Sequence, residues 1–186
     1  MKRRVFNAAV LAATALSSLR AWADESPPFE TMEFDWADAN RQRAVPVRLY
    51  WPNAVGTQVP LVVFSHGIGG SRRGYSYLGQ HWASHGIASL HLQHVGSDRN
   101  LWFGNPLGLV GRLQDAAQAS EAIERPRDLR FALDQLLASP LGERIDAKRI
   151  VAAGHSYGAN TTLLAAGARV QREGRRVDLH DERLRA

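Results

Sequence analysis

A three-layer α/β sandwich with a mostly parallel sheet is the architecture this sequence predicts. Short unbroken apolar runs at residues 60–65 and 149–153 read as strands buried on both faces. They alternate with helical segments, as crossover connections between parallel strands require. Two aromatic and β-branched runs stand ahead of them and read as an antiparallel hairpin.

The elements follow in order along the chain. Residues 24–29 are a loose lead-in. The hairpin takes residues 31–36 and 44–51, with Asp38, Ala39 and Asn40 at its turn. The first buried strand is 60–65. Tyr75, Leu78 and Trp82 mark a helix that runs, past Gly86, into a strand at 87–92. Residues 95–111 are rich in Gly, Asn and Pro and read as a long loop, followed by a helix over 113–123. Arg125-Pro126 opens the next helix, with proline in the first turn. Leu129, Ala132, Leu133, Leu136 and Leu137 fall on one face of it, and Ser139-Pro140 ends it. The strand at 149–153 and a helix over 159–170 complete the series, and the arginine-rich tail beyond reads as a solvated helix end. No internal repeat or low-complexity tract interrupts the single domain, 24–186.

The first 23 residues read as an address. Met1-Lys2-Arg3-Arg4 is cationic, residues 5–19 are mostly apolar, and Ala21-Trp22-Ala23 offers small residues where a signal peptidase cuts. The apolar stretch is too short and too polar for a stable membrane span. Cleavage after Ala23 is expected, by the general or the twin-arginine route, delivering the protein to the periplasm or outside the cell. The 186 residues carry 23 Lys and Arg against 18 Asp and Glu, a formal charge of +5. Four of those basic residues lie in the first 23, so the remaining 163 residues hold 19 basic against 18 acidic. A nearly neutral body gives no reason to expect a nucleic-acid partner. The absence of cysteine excludes disulfides, thiolate metal sites and a cysteine nucleophile.

The chemistry is carried by Gly154-His155-Ser156-Tyr157-Gly158, a G-x-S-x-G sequence lying after a buried strand and before a helix. There the serine occupies a sharp turn above the sheet, and glycine lets the neighbouring backbone pass closely. The helix N-terminus beneath adds N–H donors and a favourable dipole. Upstream, His66-Gly67-Ile68-Gly69-Gly70 follows the first buried strand. Such a loop turns a backbone N–H towards an ester carbonyl and, with the N–H of Tyr157, holds the tetrahedral oxyanion. His66 is read as a brace for the loop.

With these motifs the chain resembles the α/β-hydrolases, and most closely the exported predicted dienelactone hydrolases and platelet-activating-factor-acetylhydrolase-like esterases. The matching stretches are residues 60–73, 83–86, 94–98, 125–130 and 153–160. The resemblance implies an α/β-hydrolase-type sandwich, of which this chain is the N-terminal portion. It implies Ser156 as nucleophile, with the amides of Ile68 and Tyr157 as the oxyanion hole and Gly67, Gly69, Gly70, Gly154, His155 and Gly158 as supporting motif. The implied substrate is a small-molecule or lipid ester, with no cofactor and no metal; the oligomeric state is open.

In this fold the triad acid and then the histidine follow the serine along the chain. Asp178, His180 and Asp181 fall in a connecting loop ahead of the acid's place. His180 is expected roughly 20 Å or more from the serine, at 1.5 Å rise per helical residue. The acid and base are therefore expected to be missing from this polypeptide, as in an incomplete gene product of doubtful activity alone. Two other readings stand beside the esterase: a non-catalytic remnant or binding module of the same fold, and an exported metal-binding protein using His81, His85, His91 and His94. His91 and His94, three apart in a strand, point to opposite faces, which argues against shared ligation.

Overall fold

The computed structural model describes residues 28–53, 58–172 and 174–185. The expected signal peptide lies outside the described residues. The hairpin forms as strands β1 (Phe29–Asp38) and β2 (Arg43–Pro52), paired from Phe29–Pro52 to Asp38–Arg43. Then come β3 (Val59–Ser65), α1 (Ser76–Ser84), β4 (Ala88–Leu92), α2 (Leu109–Ala116), α3 (Ala119–Ala138), β5 (Ile145–Gly154) and α4 (Tyr157–Ala165). The sheet order is β1-β2-β4-β3-β5. The first two pairings are antiparallel; β4–β3 and β3–β5 are parallel.

Strand periodicity separates the layers. Leu61 and Val63 of β3, Leu90 and Leu92 of β4 and Ile150 of β5 join Leu129, Leu133 and Leu136 of α3 in one buried cluster. Each such side chain contributes about 1.5–3 kcal/mol through burial. Phe64 turns the other way and meets Trp82 of α1, with ring centroids 6.1 Å apart. Helix α1 therefore lies opposite α3 and α4, giving the three layers.

Gly79 shows how closely α1 sits. A methyl group there would overlap the ring of Tyr50, which is fully buried. Alanine is better than glycine in a helix by about 1 kcal/mol, whereas overpacking a rigid ring costs about 1–3 kcal/mol. Sterics win, and Gly79→Ala is expected to lower stability by about 1–2 kcal/mol, read from the urea midpoint at unchanged m-value.

Three expectations are corrected. Pro126 does not open a helix: it lies inside α3, which starts at Ala119, and the break falls at Ala117-Gln118. Proline leaves the Ala122 carbonyl without its i+4 donor, but Glu121, Arg125 and Asp128 point into a buried polar layer that fixes this part of the helix. The helix expected over 159–170 stops at Ala165, where Gly167 turns with φ +100°. The tail is no helix end. Strands β6 (Val170–Arg172) and β7 (Arg175–Val177) pair as a small hairpin. The chain then folds back, burying Leu179 and Leu184, with the Arg185 N–H donating to the Ile150 carbonyl at 2.8 Å.

Candidate active site

Ser156 stands between the last residue of β5 and the first of α4, with φ 54° and ψ −120°. A non-glycine residue in that region is strained by about 1–3 kcal/mol and persists only where its surroundings dictate it. They do so here. A Cβ on Gly154 would overlap the Gly158 carbonyl, and one on Gly158 would overlap the carbonyl of Ser65, at the end of β3. The His155 N–H donates to that same Ser65 carbonyl at 3.3 Å. The two glycines thus let helix α4 start directly against the strand end, and the turn lifts Ser156 to an exposed position.

The glycine loop lies beside it. A Cβ on Gly67 would sit 3.3 Å from Ser156 Cβ, so the backbone at 67 passes against the serine. The rest of the loop is pinned from behind. The Gly69 N–H donates to the Ser97 carbonyl at 2.8 Å, and the Gly70 N–H to the Gly67 carbonyl at 3.1 Å. The Trp102 indole N–H donates to the Gly69 carbonyl at 2.8 Å. Asp98 forms a bridge to Gly70 and accepts from the Gln93 amide. Among the described residues, no acceptor takes the N–H of Ile68 or of Tyr157.

His66 is fully buried. Its Nε2 accepts the His94 backbone N–H at 3.1 Å, so the proton resides on Nδ1, which donates to the Gly67 carbonyl at 2.6 Å. Burial pulls its pKa down to about 4, so it is neutral. The ring thus links the glycine loop to the segment that follows β4.

The other histidines disperse. His94 Nδ1 donates to Asp128 at 3.1 Å and its Nε2 accepts from the Ser65 hydroxyl at 3.0 Å. Ser65, His94 and Asp128 thus have the connectivity of a catalytic triad. All three side chains are sealed from solvent, so no ester reaches them. Their work is structural, since Asp128 also binds Arg43 at 2.9 Å and 3.0 Å and Arg41 at 2.9 Å. His91 bonds Ser89 at 2.8 Å inside the sheet, while His81, in the last turn of α1, faces His85 just past its end. No group of three or more metal-ligating side chains converges among the described residues.

His155 is exposed, with Nδ1 2.7 Å from the Tyr75 hydroxyl. Arg72 and Arg73 are held by β1, through Asp35 and Glu33. His180 packs against Gly167, beyond the far end of Ser156's helix, about 15 Å along its axis from the serine.

Sequence reasoning missed Arg125. It is fully buried between the glycine loop and α4, with its guanidinium 4.6 Å from the centre of the Tyr157 ring. An Arg-Pro pair at an expected helix start carries no sign of burial.

Residues 37–100 match the family model for platelet-activating factor acetylhydrolase, isoform II. The platelet-activating factor acetylhydrolase of Cavia porcellus is 26% identical over 154 residues, a match covering 64% of this chain and 34% of that enzyme. Among solved structures, a ferulic acid esterase from Streptomyces cinnamoneus superposes with a TM-score of 0.60 and 26% identity, covering 75% of this chain and 55% of that one. A dienelactone hydrolase from Anabaena variabilis gives a TM-score of 0.52 and 20% identity, over 73% of this chain and 57% of that one. The chain thus spans about a third of the curated relative and little more than half of these solved structures. With its strand order and this serine turn, the chain has the α/β-hydrolase-type fold and is similar to platelet-activating factor acetylhydrolases, esterases and dienelactone hydrolases of that fold.

Proposed function

We propose that this chain carries the nucleophile and oxyanion half of a serine ester hydrolase. The observation that carries the reading is the strained, exposed Ser156 set against Gly67, with two backbone N–H groups free beside it. Ser156 Oγ attacks the ester carbonyl carbon while its proton passes to a base. The carbonyl oxygen becomes an oxyanion, held by the amides of Ile68 and Tyr157. Collapse expels the alcohol, which takes up a proton and leaves an acyl-serine; water then attacks, releasing the acid and restoring the hydroxyl.

Among the described residues no side chain bonds the Ser156 hydroxyl. The substrate class is a small-molecule or lipid ester of short acyl chain, in keeping with relatives named as esterases and acetylhydrolases. Export to the periplasm or beyond is proposed from the N-terminal residues. No helix among the described residues is long and apolar enough to cross a membrane.

A fluorophosphonate probe tests the reading. Oγ displaces fluoride from phosphorus, the proton goes to solvent, and one phosphonyl group is added. Labelling that maps to Ser156 and vanishes in Ser156→Ala is the expected result. A folded chain that takes up no probe would instead be a non-catalytic remnant of the fold.

A further inference from the structure

We infer that Arg125 is a positioning residue for the oxyanion hole, locking the glycine loop to the helix that follows Ser156. The inference rests on the serine-hydrolase reading above. Three segments meet at one guanidinium. Nη2 donates to the His66 carbonyl, the peptide that enters the glycine loop. Nη1 donates to Ser97 Oγ at 2.8 Å, and the Ser97 carbonyl in turn receives the Gly69 N–H. Nε donates to Thr161 Oγ1 at 2.8 Å, one turn into α4. Its flat face lies against the ring of Tyr157, whose backbone N–H is one of the two oxyanion donors.

The geometry suits arginine and no other residue. A planar fork with fixed N–H directions reaches three acceptors on three segments at once, which an ammonium on a flexible stem does not reproduce. The group is buried away from the cleft and touches no substrate, so it acts only through the two peptides it aligns. Hydrogen bonds from the amides of Ile68 and Tyr157 strengthen as charge develops on the oxygen, and a small displacement of either weakens them when they matter most.

The test uses the full chain and the same fluorophosphonate, whose phosphoryl oxygen occupies the oxyanion site. Arg125→Lys keeps the charge and loses the fork; Thr161→Val keeps the shape and removes the Nε acceptor together with the hydroxyl's own bond to the Tyr157 carbonyl. Progress curves over a range of probe concentrations separate binding, the rate constant for labelling, and the final stoichiometry. Loss of positioning slows labelling about 10- to 100-fold in Arg125→Lys, a fraction of what removing a whole oxyanion donor does. Thr161→Val shows a smaller slowing in the same constant, and probe binding and final stoichiometry stay near wild type in both. A merely structural role lowers the stoichiometry and the thermal midpoint while each folded site still labels at the normal rate, and that result overturns the proposal. Should Arg125→Lys fail to fold, a wild-type labelling constant in Thr161→Val overturns it equally. Absence of labelling in the wild-type chain defeats the serine-hydrolase reading itself, and this proposal with it.

Discussion

Gly158→Ala is expected to cost about 4 kcal/mol or more, beyond the usual range for an overpacked core site. The added methyl group would overlap the carbonyl oxygen of Ser65, and His66's carbonyl lies close behind. Both obstacles are backbone, one at the end of a central strand and the other at the mouth of the glycine loop. No rotamer change relieves the clash, so α4 must move off the sheet or Ser65 must give up its bond from His155. Against a total stability of about 5–15 kcal/mol, such a loss unfolds a large share of the chain or relaxes the turn that holds Ser156 at φ 54°. Urea denaturation checks it, with Gly111→Ala as control. Gly111 lies in α2 with open space where its Cβ would be, so alanine there is expected to stabilise by up to about 1 kcal/mol. A Gly158→Ala midpoint equal to wild type would show that helix start and strand end do not touch as described.

The second large effect is a loss of stability in mild acid. His66 and His91 are buried and depressed by desolvation to about 4, and His94, fully enclosed, is pushed well below its ordinary value. A histidine whose folded pKa lies below its unfolded one binds more protons when unfolded. Its contribution is therefore complete above about pH 6.5 and drains away as the pH falls towards 4. At about 1.4 kcal/mol for each tenfold change in proton affinity, His66 and His91 are each worth about 3 kcal/mol across that span, with His94 adding in the same sense.

The groups around them do not reverse the sign. Arg125 and Arg43 disfavour a proton on His94, and Arg125 disfavours one on His66. Asp128 and Glu121 are raised by burial, so their effect opposes that of the histidines, favouring folding as they protonate. Their protonation offsets part of the histidines' slope. The urea midpoint is thus expected to fall steadily between pH 6.5 and pH 5, and His91→Gln to flatten part of the slope. A midpoint constant over that interval would mean that the three imidazoles reach water.

Apolar patterning made most of the sheet readable. The runs at 60–65 and 87–92 became β3 and β4 within a residue or two, because strands covered on both faces leave almost no residue at the surface, and the polar Ser89 and His91 of β4 are buried against each other. The serine turn was equally legible, since glycines flanking the serine between a strand and a helix answer a steric demand that the structure displays at Gly154 and Gly158. The first half of α3 was not. Its inward side carries Glu121, Arg125 and Asp128, which look like surface residues until Arg41, Arg43, Ser97 and Thr161 arrive from elsewhere in the chain to satisfy them. With no apolar stripe before Leu129, Pro126 took the place at a helix start where proline is most at home.

The tail was illegible for a related reason. Leu179 and Leu184 are five apart, a spacing that fits neither a helix nor a strand face. They bury themselves because Asp181 takes Arg183 and the Asp181 N–H reaches the Ala165 carbonyl, contacts that a run of alternating charges does not announce. The Ser65–His94–Asp128 chain teaches the converse. Connectivity alone would make it a reaction centre, and only burial shows it to be scaffolding.

The indole that lies across Gly69 gives the molecule an optical property. Trp102 is 56% exposed, yet its N–H is held by a carbonyl of the glycine loop. Its emission therefore depends on whether that bond is intact, and a shift of the loop on ligation would register as a change in intrinsic fluorescence, with no dye attached.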